Sequence, residues 1–130
     1  MSRVVLLDTH AWAWSLLKDP RLSLAARQIL NGDTEIAISP VSVFEIGQKV
    51  RLGQWPEMEP FARKLEDYVE WQGAEVAPVS LEIADFAARL NWSHRDPFDR
   101  ILAATAIMNG WEILSADSAF ETLPTLRRIW

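Results

Sequence analysis

Short apolar runs alternate with segments of helical period along this chain, and that alternation limits its architecture more than any other feature. Arg3 to Asp8 is the first run, a β-branched and leucine stretch closed by a carboxylate and read as a buried strand. A helix-compatible stretch, Thr9 to Leu17, follows until Asp19-Pro20 breaks it. Ser23 is placed to cap the next helix, in which Leu24, Ile29 and Leu30 recur at helical spacing before Asn31-Gly32. Glu35 to Ser39 reads as the second strand, and Pro40 opens a helix running to about Leu52. After Pro56, an amphipathic helix is expected from about Glu59 to Trp71.

Ala74 to Val79 is a third candidate strand, followed by a helix marked by Leu81, Ala84, Phe86, Ala87 and Leu90. Asp96-Pro97 then begins the most apolar helix of the chain. Ile101, Leu102, Ala103, Ala104, Ala106, Ile107 and Met108 cover most of its circumference, so it is expected at the centre of the fold. Gly110 ends it, Trp111 to Ser115 forms a fourth strand, and Arg127 to Trp130 is a candidate fifth. Strands alternating with helices predict an α/β fold with a mainly parallel sheet. With no internal repeat and no linker-like stretch, residues 1–130 read as one domain.

Composition narrows the chemistry. The chain has no cysteine, which removes disulfides, thiolate metal sites and cysteine nucleophiles, so a metal ion would need oxygen or imidazole ligands. This suits a reducing cytoplasm. The N-terminal apolar run is too short for a signal peptide or a membrane span, and the protein reads as soluble and unprocessed. A net charge of −5 argues against nonspecific polyanion binding. A nucleic-acid substrate would therefore require local basic residues and metal ions to offset the acids.

In open parallel sheets, ligands gather outside the carboxyl ends of the strands. Asp8 ends the first strand there, and Asp117 lies just past the fourth. Asp99 sits in the first turn of the apolar helix, and Glu45 about two turns into the helix after the second strand. Two unit charges about 4 Å apart repel by roughly 4 kcal/mol even at an effective dielectric of 20. A divalent cation removes that penalty, and all-oxygen ligation favours Mg²⁺ or Mn²⁺. Such ions activate water and stabilise the leaving oxygen of a phosphodiester.

Each acid also has a purely structural explanation. Asp8 and Asp117 are placed to cap the segments that follow them, and Glu45 to pair with Lys49 at i+4. Asp96 reads as the N-cap before Pro97, with Asp99 at N3 favouring the helix dipole. Their joint placement is what points to a site.

Four segments carry a resemblance: Val5-Leu6-Leu7-Asp8-Thr9-His10, Ser42-Val43-Phe44-Glu45-Ile46, His94-Arg95-Asp96-Pro97-Phe98-Asp99-Arg100, and Leu114-Ser115-Ala116-Asp117. In order and spacing they resemble the PIN-domain ribonucleases, most closely the VapC-type toxins of bacterial toxin–antitoxin pairs, over essentially the whole chain. The resemblance implies a PIN-like three-layer fold with a parallel sheet of four or five strands flanked by helices. It implies a Mg²⁺- or Mn²⁺-dependent endoribonuclease, a homodimer, and a cognate antitoxin that blocks the active site.

By position, Asp8, Glu45, Asp99 and Asp117 match the family's acidic quartet, with Asp8, Asp99 and Asp117 on the metal and Glu45 either ligating or holding the attacking water. Asp96 matches no principal ligand and stays a cap or supporting residue, beside Thr9. Ser115 fits the hydroxyl position two residues before the last Asp. Arg100 and Lys49 are candidates for phosphate contact, although Arg100 has an alternative partner in Asp96. His10 and His94 are candidates for general acid work or for packing alone, and Trp55, Trp71 and Trp92 for base stacking. Trp12 and Trp14 make the first helix unusually apolar, for the core or for an antitoxin or dimer interface.

Two rivals come from other classes. One is a catalytically inactive PIN-like partner-binding or co-repressor subunit, against which the complete quartet argues. The other is a phosphatase forming an aspartyl-phosphate, but in haloacid-dehalogenase-like enzymes a second Asp stands where this chain has His10.

Overall fold

The computed structural model describes residues 3–130. Five parallel strands, β1 (Val4–Leu7), β2 (Glu35–Ile38), β3 (Glu75–Val76), β4 (Glu112–Leu114) and β5 (Arg128–Ile129), lie in the order β3-β2-β1-β4-β5. The chain steps outward from β1 through β2 to β3, then crosses back to place β4 on the other side of β1. The strand order therefore reverses between β1 and β4, and a crevice opens at their carboxyl ends.

Helices cover both faces. On one side lie α1 (Thr9–Leu17), α2 (Leu24–Asn31), α3 (Pro40–Arg51) and α5 (Leu65–Trp71), which reaches the sheet through the short α4 (Glu59–Ala62). On the other lies α7 (Pro97–Asn109), backed by α6 (Leu81–Arg89). The side-chain period of two along β1 divides the core: Val5 and Leu7 enter the α1–α3 side, and Leu6 the α7 side. All three are fully buried, as expected of a parallel strand covered on both faces.

The central position expected of the apolar helix is observed. Leu102, Ala103 and Ala106 of α7 pack on the sheet, while Ala104 meets Ile83 and Ala87 of α6. Its small residues allow close approach on both sides. Gly110, at φ 68°, ends it by donating its N–H to the Ala106 and Ile107 carbonyls, a left-handed turn that a side chain would strain.

Two elements differ from the sequence-based expectation. The helix expected over residues 59–71 is broken at Arg63 and Lys64, where Lys64 adopts φ −126° and its N–H bonds to the Phe61 carbonyl at 2.9 Å. The break folds Phe61 against Tyr68, with ring centroids 5.4 Å apart. Seven residues of straight helix would separate their backbones by about 10 Å along the axis. The third strand is only two residues long: Ala77 still donates to the Ile38 carbonyl at 2.9 Å, but β2 ends at Ile38 and its chain enters α3 at Pro40, which leaves no strand on which the ladder could continue. No helix among the described residues is long and apolar enough to cross a membrane.

Trp12 is fully buried, with its indole N–H donated to Gln72 Oε1 at 2.9 Å, so it serves the core rather than an interface. Trp14, one turn-half away on α1, is only partly buried.

Candidate active site

Asp8 leaves β1 at the strand-order reversal and simultaneously caps α1. Its Oδ1 accepts the Ala11 N–H at 2.7 Å, and its Oδ2 accepts the hydroxyl of Ser115, which directly follows β4. The same Ser115 oxygen accepts the Asp117 N–H at 3.0 Å. A buried serine thus ties the ends of the two central strands together and sets the backbone direction at Asp117.

The four predicted carboxylates line one cleft of about 400 Å³, together with Thr9, His10, Trp14, Lys49, His94, Asp96 and Ala116. The expectation that Asp8, Glu45, Asp99 and Asp117 gather at the carboxyl edge of the sheet agrees with this placement. They do not gather as a symmetric quartet. Asp99, Asp117 and His94 bring one ligand atom each to within 4.8 Å of one another, whereas Glu45 is held by Lys49, with Nζ to Oε2 at 2.8 Å. His94 Nε2 lies 2.7 Å from Asp99 Oδ2.

From the sequence, His94 is a candidate only for acid work or packing. Its membership of the tight cluster arises because residues 90–96 turn back over the start of α7, which spacing alone does not reveal. The available signal was a histidine five residues ahead of an acid in the first turn of a helix.

Burial dominates the electrostatics. Removal from water raises the Asp8 carboxyl to about 6, against the hydrogen bonds from Ser115 and Ala11 and with help from the charges of Asp99 and Glu45. Asp99 is also raised, by burial and by Asp96 and Glu45, against the opposing contact with His94. His10 is lowered by burial and by Lys49 and Arg21. A site that makes its acids harder to ionise is one that a cation would relieve. Two carboxylates and an imidazole, with no thiolate, suit a hard or borderline divalent ion, and the close trio of His94, Asp99 and Asp117 fits one.

The supporting residues divide. Asp96 caps α7 through the Phe98 N–H at 2.9 Å and the Asp99 N–H at 3.4 Å, as expected, although it also reaches the cleft wall. The Thr9 hydroxyl is buried against Ser42 Oγ at 2.9 Å, which joins α1 to α3 behind the acids. Lys49 stands at the cleft with its ammonium beside Glu45.

Arg100 requires a correction: it makes neither a phosphate-facing group nor a partner for Asp96. Its guanidinium donates at 2.7–3.0 Å to the Ala87 carbonyl in the last turn of α6 and to the carbonyls of Leu90, Trp92 and His94 in the non-helical stretch beyond it, groups that have no ladder of their own. Of the tryptophans named for stacking, Trp55 is buried and Trp92 packs on His94 and Phe120, while Trp71 is exposed.

Comparison with known proteins identifies the family. The family model described as "PIN domain" matches residues 5–126, which includes all four acids. Ribonuclease VapC22 of Mycobacterium tuberculosis (strain ATCC 25618 / H37Rv) is 31% identical over 117 residues, covering 87% of this chain and 86% of that protein. Among solved structures, VapBC2 from Rickettsia felis, bound to a promoter DNA fragment, superposes with a TM-score of 0.72 at 18% identity and covers 98% of each chain. A toxin–antitoxin complex from Klebsiella pneumoniae gives 0.68 at 19% identity, over 97% of this chain and 96% of that one. At those identities the structures speak for the fold, a five-stranded parallel sheet between helical layers. With the model matched across the acidic cleft and a relative similar over most of its length, this chain belongs to the PIN domain family.

Proposed function

We propose that this protein is a Mg²⁺- or Mn²⁺-dependent endoribonuclease that hydrolyses RNA phosphodiester bonds, and that it is the toxin of a toxin–antitoxin pair. The observation that carries the proposal is the convergence of Asp8, Glu45, Asp99 and Asp117, with His94, in one cleft at the strand-order reversal. The similarity to Ribonuclease VapC22 supports the same activity.

In this reading Asp99, Asp117 and His94 hold the divalent ion, with Asp8 completing its surroundings. The ion supplies charge neutralisation for the gathered acids and Lewis acidity toward a phosphoryl oxygen. Asp8 is held on the cleft wall by the Ser115 hydroxyl and the Ala11 N–H. Glu45, its outer oxygen engaged by Lys49, is the group that orients the attacking water and accepts its proton at the other oxygen. Ser115 fixes Asp8 from behind, Thr9 bonds to Ser42 and so holds α1 against α3, and the Lys49 ammonium draws the RNA backbone toward the acids.

The partner and compartment belong to the same proposal. A cognate antitoxin that covers the cleft, a homodimer of this chain, and a cytoplasmic location fit a cysteine-free relative of the toxin chains in such complexes. The test is cleavage of single-stranded RNA by the purified chain with Mg²⁺ or Mn²⁺, beside Asp8→Asn and Asp99→Asn. Both variants are expected to lose cleavage. Equal activity in all three preparations excludes the assignment and leaves the partner-binding alternative.

A further inference from the structure

A second pocket opens beside the acidic cleft, about 430 Å³ in volume, and shares His10, Trp14 and Lys49 with it. The two differ in charge. The cleft sets Asp8, Glu45, Asp96, Asp99 and Asp117 against Lys49, whereas the neighbouring pocket is lined by Arg21 and Lys49, which pair with Asp19 and Glu45 outside it, and by the single acid Glu57. Both cations are braced on aromatic rings: the Arg21 guanidinium carbon lies 4.6 Å from the centre of the Trp14 ring, and Lys49 Nζ 5.5 Å from that of Trp55.

Between those rings stands His10, its centroid 5.9 Å from Trp14 and 4.9 Å from Trp55, with its outer side exposed. Arg21 donates to Asp19 through Nε and Nη2, and no protein acceptor is recorded for Nη1 among the described residues. These are the elements of single-stranded nucleic-acid binding: fixed cations for the backbone and an aromatic face for a base.

We propose that this pocket is the subsite for the nucleotide that flanks the scissile phosphate of a single-stranded RNA, with Arg21 and Lys49 on the flanking phosphate and the His10 ring stacked on its base. The proposal rests on the ribonuclease reading above and supplies what the net charge of −5 demands, a local cationic site next to the acids. No bond is made or broken there; the pocket positions the strand so that the neighbouring phosphate enters the cleft.

The experiment measures binding of a short fluorescent single-stranded RNA to the full chain by anisotropy, in EDTA so that nothing is cleaved, over a range of salt. Arg21→Gln is expected to lower the slope of log K against log salt by about 0.7, the value for one phosphate contact on a single strand. Arg127→Gln makes the same charge change at the opposite edge of the sheet, where Arg127 pairs with Glu112, and is expected to bind as the parent does.

His10→Ala is expected to weaken binding about fivefold or more, and His10→Phe, which keeps a ring, to retain it. The proposal is overturned if the RNA is not bound, if Arg21→Gln keeps the parent slope or matches Arg127→Gln, or if His10→Ala binds as well as the parent. Cleavage measured separately with Mg²⁺ distinguishes the two claims. Cleavage without this binding pattern removes the subsite and keeps the ribonuclease, whereas the pattern without cleavage keeps a single-stranded RNA pocket and removes the ribonuclease, and with it the pocket's role beside a scissile phosphate.

Discussion

The Ser115 hydroxyl donates to the Asp8 carboxylate across the boundary between β1 and β4, joining residues 107 positions apart in the chain. Both groups are buried, so neither has water to fall back on. Ser115→Ala leaves an unmatched carboxylate oxygen and removes the acceptor for the Asp117 N–H. The expected loss is about 1–3 kcal/mol of stability, read from urea unfolding at neutral pH without metal. A stability within error of the parent would mean that the hydroxyl does not hold Asp8.

The raised Asp8 carboxyl has a consequence for stability against pH. Its value in the folded chain is about 6, against 3.8 for a free aspartate, so the folded state binds the proton more tightly than the unfolded state. The stabilisation is fully present below 3.8 and is lost as pH rises to about 6. For a shift of this size the loss is about 3 kcal/mol. Asp99, also raised, adds in the same direction, while His10, lowered from 6.5, opposes it at the upper end of the window. The metal-free protein is therefore expected to melt lower at pH 7.5 than Asp8→Asn, and the difference to shrink toward pH 4. Thermal unfolding of both proteins in EDTA across this range checks the sign.

The strand–helix alternation and the four acids were legible in the sequence because each has a local signature. Val4 to Leu7 is a short apolar run that ends in a carboxylate, and Asp96-Pro97 marks the start of α7 with a cap and a fixed φ. What stayed hidden depends on contacts between distant segments. The break at Lys64 goes with the contact of Phe61 on Tyr68, and the place of His94 follows from the path of residues 90–96. Arg100 shows the limit most clearly, since an arginine beside an acidic motif has the same one-letter environment whether it faces a phosphate or four carbonyls.

That distinction can be measured. Charged donors to carbonyls contribute about 1.5–3 kcal/mol each, without strict additivity, so Arg100→Met is expected to destabilise the chain by about 3 kcal/mol or more. Arg100→Lys should recover little, because one ammonium cannot span carbonyls that a planar fork reaches together. Urea midpoints of the three proteins give the answer. If Arg100→Met unfolds like the parent while RNA affinity falls and loses salt dependence, the arginine faces phosphate after all.

His94 offers the sharpest test of how the site holds a cation. It reaches Asp99 at 2.7 Å and shares the 4.8 Å cluster with Asp117, so it either contributes a ligand atom or orients the aspartate that does. Either role predicts weaker binding of the ion when the ring is removed. His94→Ala is expected to lower Mn²⁺ affinity about 10- to 100-fold, as loss of an oriented partner does at other metal sites. Asp99→Asn should lower it at least as much, and the double variant should add little further because the two groups act as one unit. Calorimetric titration of Mn²⁺ into the four proteins measures this coupling. Fully additive losses would show that the two residues bind independently, and an unchanged affinity in His94→Ala would remove the histidine from the metal site.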